Sequence, residues 1–434
     1  MTHADLVPAS GELDAIAAML AGARPRAVAA LLRYFRDLDT AEEAFQEASL
    51  RALQHWPAQG PPRDPTAWLI FVGRNAALDE LRRRQRDEPL PDGDTFADPH
   101  DDALERLAGQ LDEAHYRDDL LRLLFVCCHP VLPATQQIAL ALRIVCGLSV
   151  REIARAFLVG EAAMEQRITR AKKRIATAGI PFDTPGVAER DARLATVCTS
   201  VYLLFNEGYS ASGGTQPVRA PLCDEAIRLG RLLVQLFAGD AQVQGLLALM
   251  LLQHARTPAR VAADGALVLL EAQDRRLWHA GRIAEGLCLV EQALRRGPPG
   301  PYPVQAAIAA VHCQAADAKA TDWAEIARLY DVLERLQPSP VVTLNRAVAV
   351  GKVDGPAAAL ALIAPLAEPL ADYFHFHGVR GALLKQLERP DEAREALRRA
   401  ISLAHSAAEA AHIRAELDGL GGPAAPRGTA RPMA

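Results

Sequence analysis

The stretch that most limits the fold is Leu148 to Arg174, LSVREIARAFLVGEAAMEQRITRAKKR. Ser149 followed by Glu152 fits a capping box, so a helix starts there, with Ile153, Ala154 and Phe157 recurring on one face. Leu158-Val159-Gly160 then breaks it. A second helix from Glu161 has Ala163, Met164 and Ile168 for burial and Gln166, Arg167, Arg170, Lys172 and Lys173 for the other side. This is a helix-turn-helix pattern, which sets the N-terminal turn of its second helix against base edges and its basic half against phosphates. Two packed core helices joined by a tight turn would satisfy the same spacing. Charge favours DNA: Glu161 to Arg174 holds five Arg or Lys against two Glu, in a chain of net charge −5.

Runs rich in β-branched residues are scarce and Ala, Leu and Arg dominate, so the expected class is all-α, in two to four domains over 434 residues. The acidic balance excludes a generally basic nucleic-acid coat, so DNA contacts must come from local patches. The N-terminus lacks the basic segment and apolar core of a secretory signal, and no run reaches the roughly 18 apolar residues that span a bilayer. These features predict a cytoplasmic protein without a membrane partner. The seven cysteines are scattered and none forms a CxxC pair. Cys127-Cys128-His129 is the one cluster, and adjacent helical cysteines point apart, so no metal or cofactor is expected.

Taken in order, Gly11 to Leu38 reads as two helices. Asp37 to Trp56 reads as a third, with Ala41, Ala44, Phe45, Ala48, Leu50 and Leu53 as its packing side. Asp39, Glu42, Glu43, Gln46 and Glu47 crowd its first turns, which suits the helix dipole and offers a docking face to a basic partner. Pro57 to Pro65 reads as a loop. Thr66 to Arg86 resumes as a helix ending in Arg82, Arg83, Arg84 and Arg86, a device for holding single-stranded nucleic acid beside a loop that encloses an unstacked base. Residues 87–119 carry twelve Asp or Glu against two Arg and read as an acidic linker. Two apolar helices over Leu120 to Cys146 lead into the helix-turn-helix.

The run Asp39 to Ala48 (DTAEEAFQEA), the run Trp68 to Arg83 (WLIFVGRNAALDELRR), the acidic linker and the helix-turn-helix resemble, in this order, regions 2 and 4 of bacterial extracytoplasmic-function sigma factors. The resemblance implies region 2 over 11–86, the linker over 87–119 and region 4 over 120–181. Asp39, Glu42, Glu43, Gln46 and Glu47 would then dock on the β′ coiled coil of core RNA polymerase, with region 4 meeting the β flap. Gln59, Arg63 and Asp64 of the loop, with Arg74, Asn75, Asp79, Arg82 and Arg83, would face the −10 strand. Glu161, Ala162, Glu165, Gln166, Arg167, Arg170, Lys172 and Lys173 would read the −35 duplex. Glu165 and Gln166 stand where the family often has Lys-Ser, so its base contacts do not transfer one by one. The charge of the linker suggests that it threads the cationic polymerase cleft as a nucleic-acid mimic.

Residues 187–420 exceed a minimal sigma factor. Helices are expected over Arg193 to Phe205, Cys223 to Phe237, Gln242 to His254, Gly265 to Ala272, Ile283 to Arg295 and Val304 to Ala316, with Asn206 to Gly214 a loop. A shift of 35 residues aligns Ala347 with Ala382, Ala358 with Ala393 and Ala361 with Ala396, near the period of tetratricopeptide repeats. Stacked helix pairs of that kind build a concave surface for a protein or peptide ligand. YLLFNEGYSASGG, QDRRLWHAGRI and PSPVVTLNRAVAVG look like the C-terminal extension of the tetratricopeptide-containing sigma subgroup, which implies that a helical solenoid replaces a separate anti-sigma factor as regulator. Residues 421–434 read as a disordered tail.

Two other readings meet parts of the pattern. One is a helix-turn-helix regulator whose repeat domain binds an effector and which never joins the polymerase. The other is an enzyme using Asp274, Arg275, Arg276, Trp278 and His279, or Glu207 with Tyr209. No nucleophile with an adjacent base and no phosphate-binding glycine loop supports catalysis.

Overall fold

The computed structural model describes residues 10–86, 113–157, 159–180, 187–209, 220–262, 268–404 and 407–420. All regular elements of more than a few residues among them are α-helices. The chain divides into two units, Met1–Leu204 and Phe205–Ala434.

The first unit opens with three helices, α1 (Ser10–Phe35), α2 (Leu38–Gln59) and α3 (Pro65–Arg86). α1 is continuous where two helices were expected. Pro25 removes one N–H, but Ala21, whose carbonyl loses that bond, is exposed to water, while Ala27 to Leu32 are buried against the neighbouring helices. Ala15–Phe35 is also long and apolar enough to cross a membrane by length and composition, although Arg24, Arg26 and Arg33 interrupt its apolar residues. Its apolar character is accounted for by burial of Ile16, Leu20, Val28, Leu31 and Leu32. α2 starts at Asp37, whose carboxylate accepts from the Thr40 amide at 2.8 Å, and it carries Pro57 within its last turn. It ends at Gly60, whose φ of +81° suits glycine. The loop is therefore shorter than read from the prolines, and Gln59 is helical. Buried Trp56 and Trp68 meet edge to face at 5.4 Å, and a Cβ on Gly73 would lie 2.7 Å from the Ala44 carbonyl, so α2 and α3 cross closely.

α4 (Glu113–Cys127), α5 (Ala134–Ile144), α6 (Val150–Ala156) and α7 (Glu161–Thr177) follow. α4 begins inside the stretch read as linker, because Leu120, Leu121, Leu123 and Leu124 supply a buried side that extends its helix backwards. The rest of that stretch, 87–112, lies outside the described residues. Between α4 and α5 the buried amide of Gln137 donates to the carbonyls of His129 and Leu132 at 3.1 and 2.9 Å. Its oxygen accepts from Ser200 of α8 (Val187–Tyr209) at 2.7 Å. A polar side chain is thus buried with its bonds made.

The second unit continues as α9 (Ala220–Leu236), α10 (Ala241–His254), α11 (Ala280–Leu294), α12 (Pro301–Gln314), α13 (Trp323–Leu336), α14 (Pro340–Val353), α15 (Pro356–Ile363), α16 (Phe374–Gln386), α17 (Pro390–Leu403) and α18 (Ala407–Asp418). The expected loop at Asn206 to Gly214 is helical through Tyr209, and 210–219 lie outside the described residues. Of the helix expected over Gly265 to Ala272, residues 263–267 are not described and Leu270–Ala272 is a single 3-10 turn. The pairs α14–α15 and α16–α17 start 34 residues apart, from Pro340 to Phe374 and from Pro356 to Pro390. At that offset Ala347 matches Gly381, Ala359 matches Ala393 and Ile363 matches Leu397, all buried. The 35-residue shift instead matched exposed Ala361 with buried Ala396, a register that plentiful alanines made easy to find.

Candidate functional site

The capping box at Ser149 is formed: its hydroxyl accepts from the Glu152 amide at 3.2 Å, and the Glu152 carboxylate accepts from the Ser149 amide at 2.7 Å. These bonds hold the Glu152 carboxyl below its ordinary pKa. Gly147, with φ +77°, turns the chain from α5 into this cap. On α7, Met164, Ile168, Ala171 and Ile175 are buried, a strict stripe at helical spacing. Ala163, expected on that side, is exposed. Glu161, Ala162, Glu165, Gln166, Arg170 and Lys173 face outwards and Arg167 is half-buried. Arg170 donates to the Gln166 amide oxygen at 3.1 Å, so these two present a joined donor and acceptor surface.

Lys172 departs from the expected set. It is half-buried and donates to Asp39 at 2.6 Å and Glu42 at 2.9 Å, both on α2. Burial alone would lower the ammonium pKa, but its bonds to Asp39 and the attraction of Glu42 hold it above the ordinary lysine value. Glu42 is only 4% exposed. Besides Lys172 it takes Arg24 of α1 at 3.1 Å and Arg143 of α5 at 2.8 Å. Arg24 also donates to the carbonyls of Ile144 and Arg143 at 3.2 Å and lies 4.9 Å over the Phe45 ring. Glu42 is therefore an internal clamp point in this arrangement, not part of an exposed docking face. Periodicity missed it because position 42 sits at the margin of the acidic side, where a neighbouring element decides burial.

Asp39, Glu43, Gln46 and Glu47 are exposed on α2, and Leu50 and Leu53, expected in the packing side, are 57% and 38% exposed. Glu43 lies four residues after Asp39 and three and four before Gln46 and Glu47, which lie four and three before Leu50, so the five form one acidic stripe with an apolar end. A cleft of about 770 Å³ lies between this helix and α7, lined among others by Asp39, Glu42, Arg143, Glu165, Lys172 and Lys173.

In the −10 set, Gln59 and Arg63 are exposed and Asn75 and Asp79 are half-buried. Asp64 accepts from the Ala67 amide at 3.0 Å and so caps α3. Arg74 lies 5.7 Å from the Tyr34 ring and 5.8 Å from that of Phe71. The backbone of Arg82 and Arg83 is in the final turns of α3, and their side chains lie outside the described residues. The residues weighed for catalysis serve local structure in the second unit. Asp274 pairs with Arg276 at 2.7 Å, His279 accepts from the Arg282 amide at 3.2 Å, and Arg275 donates to the His312 and Ala315 carbonyls at 2.6 Å. Burial pushes the Cys128 and Cys223 thiols up to about 12.

A three-helix bundle with an acidic stripe, followed by a capped helix-turn-helix, coincides with two family matches: Sigma-70 region 2 over residues 20–87 and Sigma-70, region 4 over 122–175. The chain carries sigma-70 regions 2 and 4. A third match, over 193–294, is to a family of unknown function, DUF6596. An uncharacterized protein of Rhizobium meliloti (strain 1021) is 63% identical over 401 residues, covering 92% of this chain and 95% of that protein. The extension is thus shared with the sigma regions as one chain. The two sigma regions imply core RNA polymerase and promoter DNA as partners in transcription initiation, with no strand or sheet platform needed among the described residues.

Proposed function

We propose that the chain is an extracytoplasmic-function-type sigma factor whose own helical extension regulates it. The exposed stripe of α2, Asp39, Glu43, Gln46, Glu47 and Leu50, is the docking face for the β′ coiled coil. Gln59, Arg63 and α3 face the melted −10 strand, and the outward side of α7 reads the −35 duplex. The observation that carries this reading is the pairing of an exposed acidic stripe in region 2 with an exposed, mixed polar and basic face on the second helix of region 4. The period of α14 to α17 supports a repeat surface for a protein or peptide, which makes the extension the place where a regulatory partner binds.

Transcription reconstituted from core polymerase, this chain and genomic promoter fragments tests it. Promoter-dependent RNA is expected, and Arg170→Ala with Lys173→Ala should weaken binding across promoters and reduce the salt slope by about one per removed phosphate contact. Absence of core binding under all conditions, with sequence-specific DNA binding intact, would favour a regulator that acts without the polymerase.

A further inference from the structure

We propose that the second unit holds a binding site for the phosphoryl group of a small molecule, built from Arg256, Trp278 and His312 beside Arg275, and that its occupant is an effector of the extension. The effector role rests on the sigma-factor reading and names the chemical class of the regulator. The site itself stands apart from that reading.

The four residues come from three segments. Arg256 follows the end of α10, and the His279 amide donates to the Ala255 carbonyl at 2.9 Å, which sets Trp278 beside it. Arg275 donates to the carbonyls of His312 and Ala315 at the end of α12 and to the Thr321 hydroxyl at 3.2 Å, which brings His312 in. The two guanidinium groups lie 5.6 and 4.9 Å from the centre of the Trp278 ring. Arg256 and His312 are half-buried, which leaves an approach from solvent.

What this cluster lacks is an acceptor. Nε of Arg256, Nε1 of Trp278 and Nδ1 of His312 are buried with no hydrogen-bond partner among the described residues, and Trp278 is only 6% exposed. Buried donors left unpaired are costly, and native folds seldom keep three together without a ligand or water to meet them. Charge is unmet as well. Arg275 is bonded to neutral oxygens, Arg256 has the face of an indole, and neither forms an ion pair among the described residues. Asp317 attracts Arg275 from a distance, but its carboxylate accepts from the Lys319 and Ala320 amides at 2.8 and 2.9 Å. Burial, then Arg256 and Arg275, lower the His312 pKa to about 4, so its ring adds a donor without a third charge. An anion supplies what is missing. A phosphoryl group fits better than a lone carboxylate, because it brings close to two negative charges for two cations and three oxygens for donors from separate segments.

Calorimetric titration of the full chain with inorganic phosphate, and separately with glycerol 3-phosphate, tests the site at ionic strength held constant with chloride. One site per chain is expected. Arg256→Gln should weaken both ligands at least tenfold, and Trp278→Phe, which keeps a ring but removes the N–H, should weaken them several-fold. Phosphate should raise the melting midpoint of the wild-type chain and not that of Arg256→Gln. Without phosphate this variant should melt at least as high as wild type, since it loses a like charge and no hydrogen bond. A lower midpoint would make Arg256 a structural residue and overturn the site. Tighter binding of the ester identifies a phosphorylated metabolite and tighter binding of phosphate the free ion, and either upholds the site. No saturable binding of either, affinity unchanged in Arg256→Gln, acetate bound as tightly as phosphate, or binding of a short oligonucleotide alone overturns it. RNA yield in reconstituted transcription should respond to the bound ligand in wild type and not in Arg256→Gln, and an indifferent yield overturns the effector role. Phosphate binding that needs Arg256, in a chain that never gives promoter-dependent RNA, upholds the site and sinks the sigma-factor reading, so the two failures are distinguishable.

Discussion

Glu42 concentrates the electrostatics of the first unit into one side chain, with cations from three helices within 3.1 Å of its carboxylate. Asp39, one turn earlier, shares only Lys172 and has a side chain 62% exposed. The two should respond differently to deletion. Glu42→Ala leaves cations facing one another in a buried site and should cost about 3 kcal/mol or more. Asp39→Ala should cost less than about 1 kcal/mol, as exposed pairs do. Thermal or denaturant unfolding of the two variants checks this, and equal losses would show that burial does not govern the network. Both residues were legible in the sequence as acidic positions at the start of a helix. Which one is buried was not, because that depends on Arg24 and Arg143, 18 and 101 positions away along the chain.

At the scale of elements, the helix-turn-helix was readable because its signals are local. A capping box, a three-residue break and a stripe at Met164, Ile168, Ala171 and Ile175 need no distant partner to act. Ser149→Ala should therefore destabilise this module by about 1 kcal/mol, seen as a lower melting midpoint of region 4 signals with the rest of the chain unchanged. α2 shows the limit of the same reasoning. Leu50 and Leu53 look like core residues by type, yet they project outwards beside an acidic stripe. Leu50→Ala should leave stability within about 0.5 kcal/mol. It should weaken core-polymerase binding about tenfold, or about 1.4 kcal/mol, as expected of an apolar anchor in a polar interface. Titration of labelled chain with core polymerase measures it, and unchanged affinity would move the docking face elsewhere on α2.

Across the whole molecule, the second unit carries its own dependence on pH. Burial, reinforced by Arg256 and Arg275, lowers the His312 pKa to about 4, so its ring is neutral in the folded state near neutral pH. The unfolded chain binds a proton at this position below about 6.5, whereas the folded one does not until about 4. Stability therefore falls as pH drops between these values, by up to about 3 kcal/mol, and levels off below them. Unfolding followed in the second unit from pH 7 to pH 5 should show the loss, and His312→Gln should flatten it.

What the sequence determined on its own is what short-range chemistry encodes: an all-helical chain, the caps, the basic second helix, the acidic start of α2, and the order of parts that matches sigma regions 2 and 4. Tertiary structure decided everything that needs two distant segments to meet. It made α1 one helix by burying the far side of Pro25, set the repeat at 34 residues, and turned Lys172 from a phosphate contact into a tie to α2. The physical reason is common to all three. A side chain's type fixes what it can bond to, but its burial and partner are fixed by packing, and residues 130 and more apart in the chain have no local signal by which to announce their meeting.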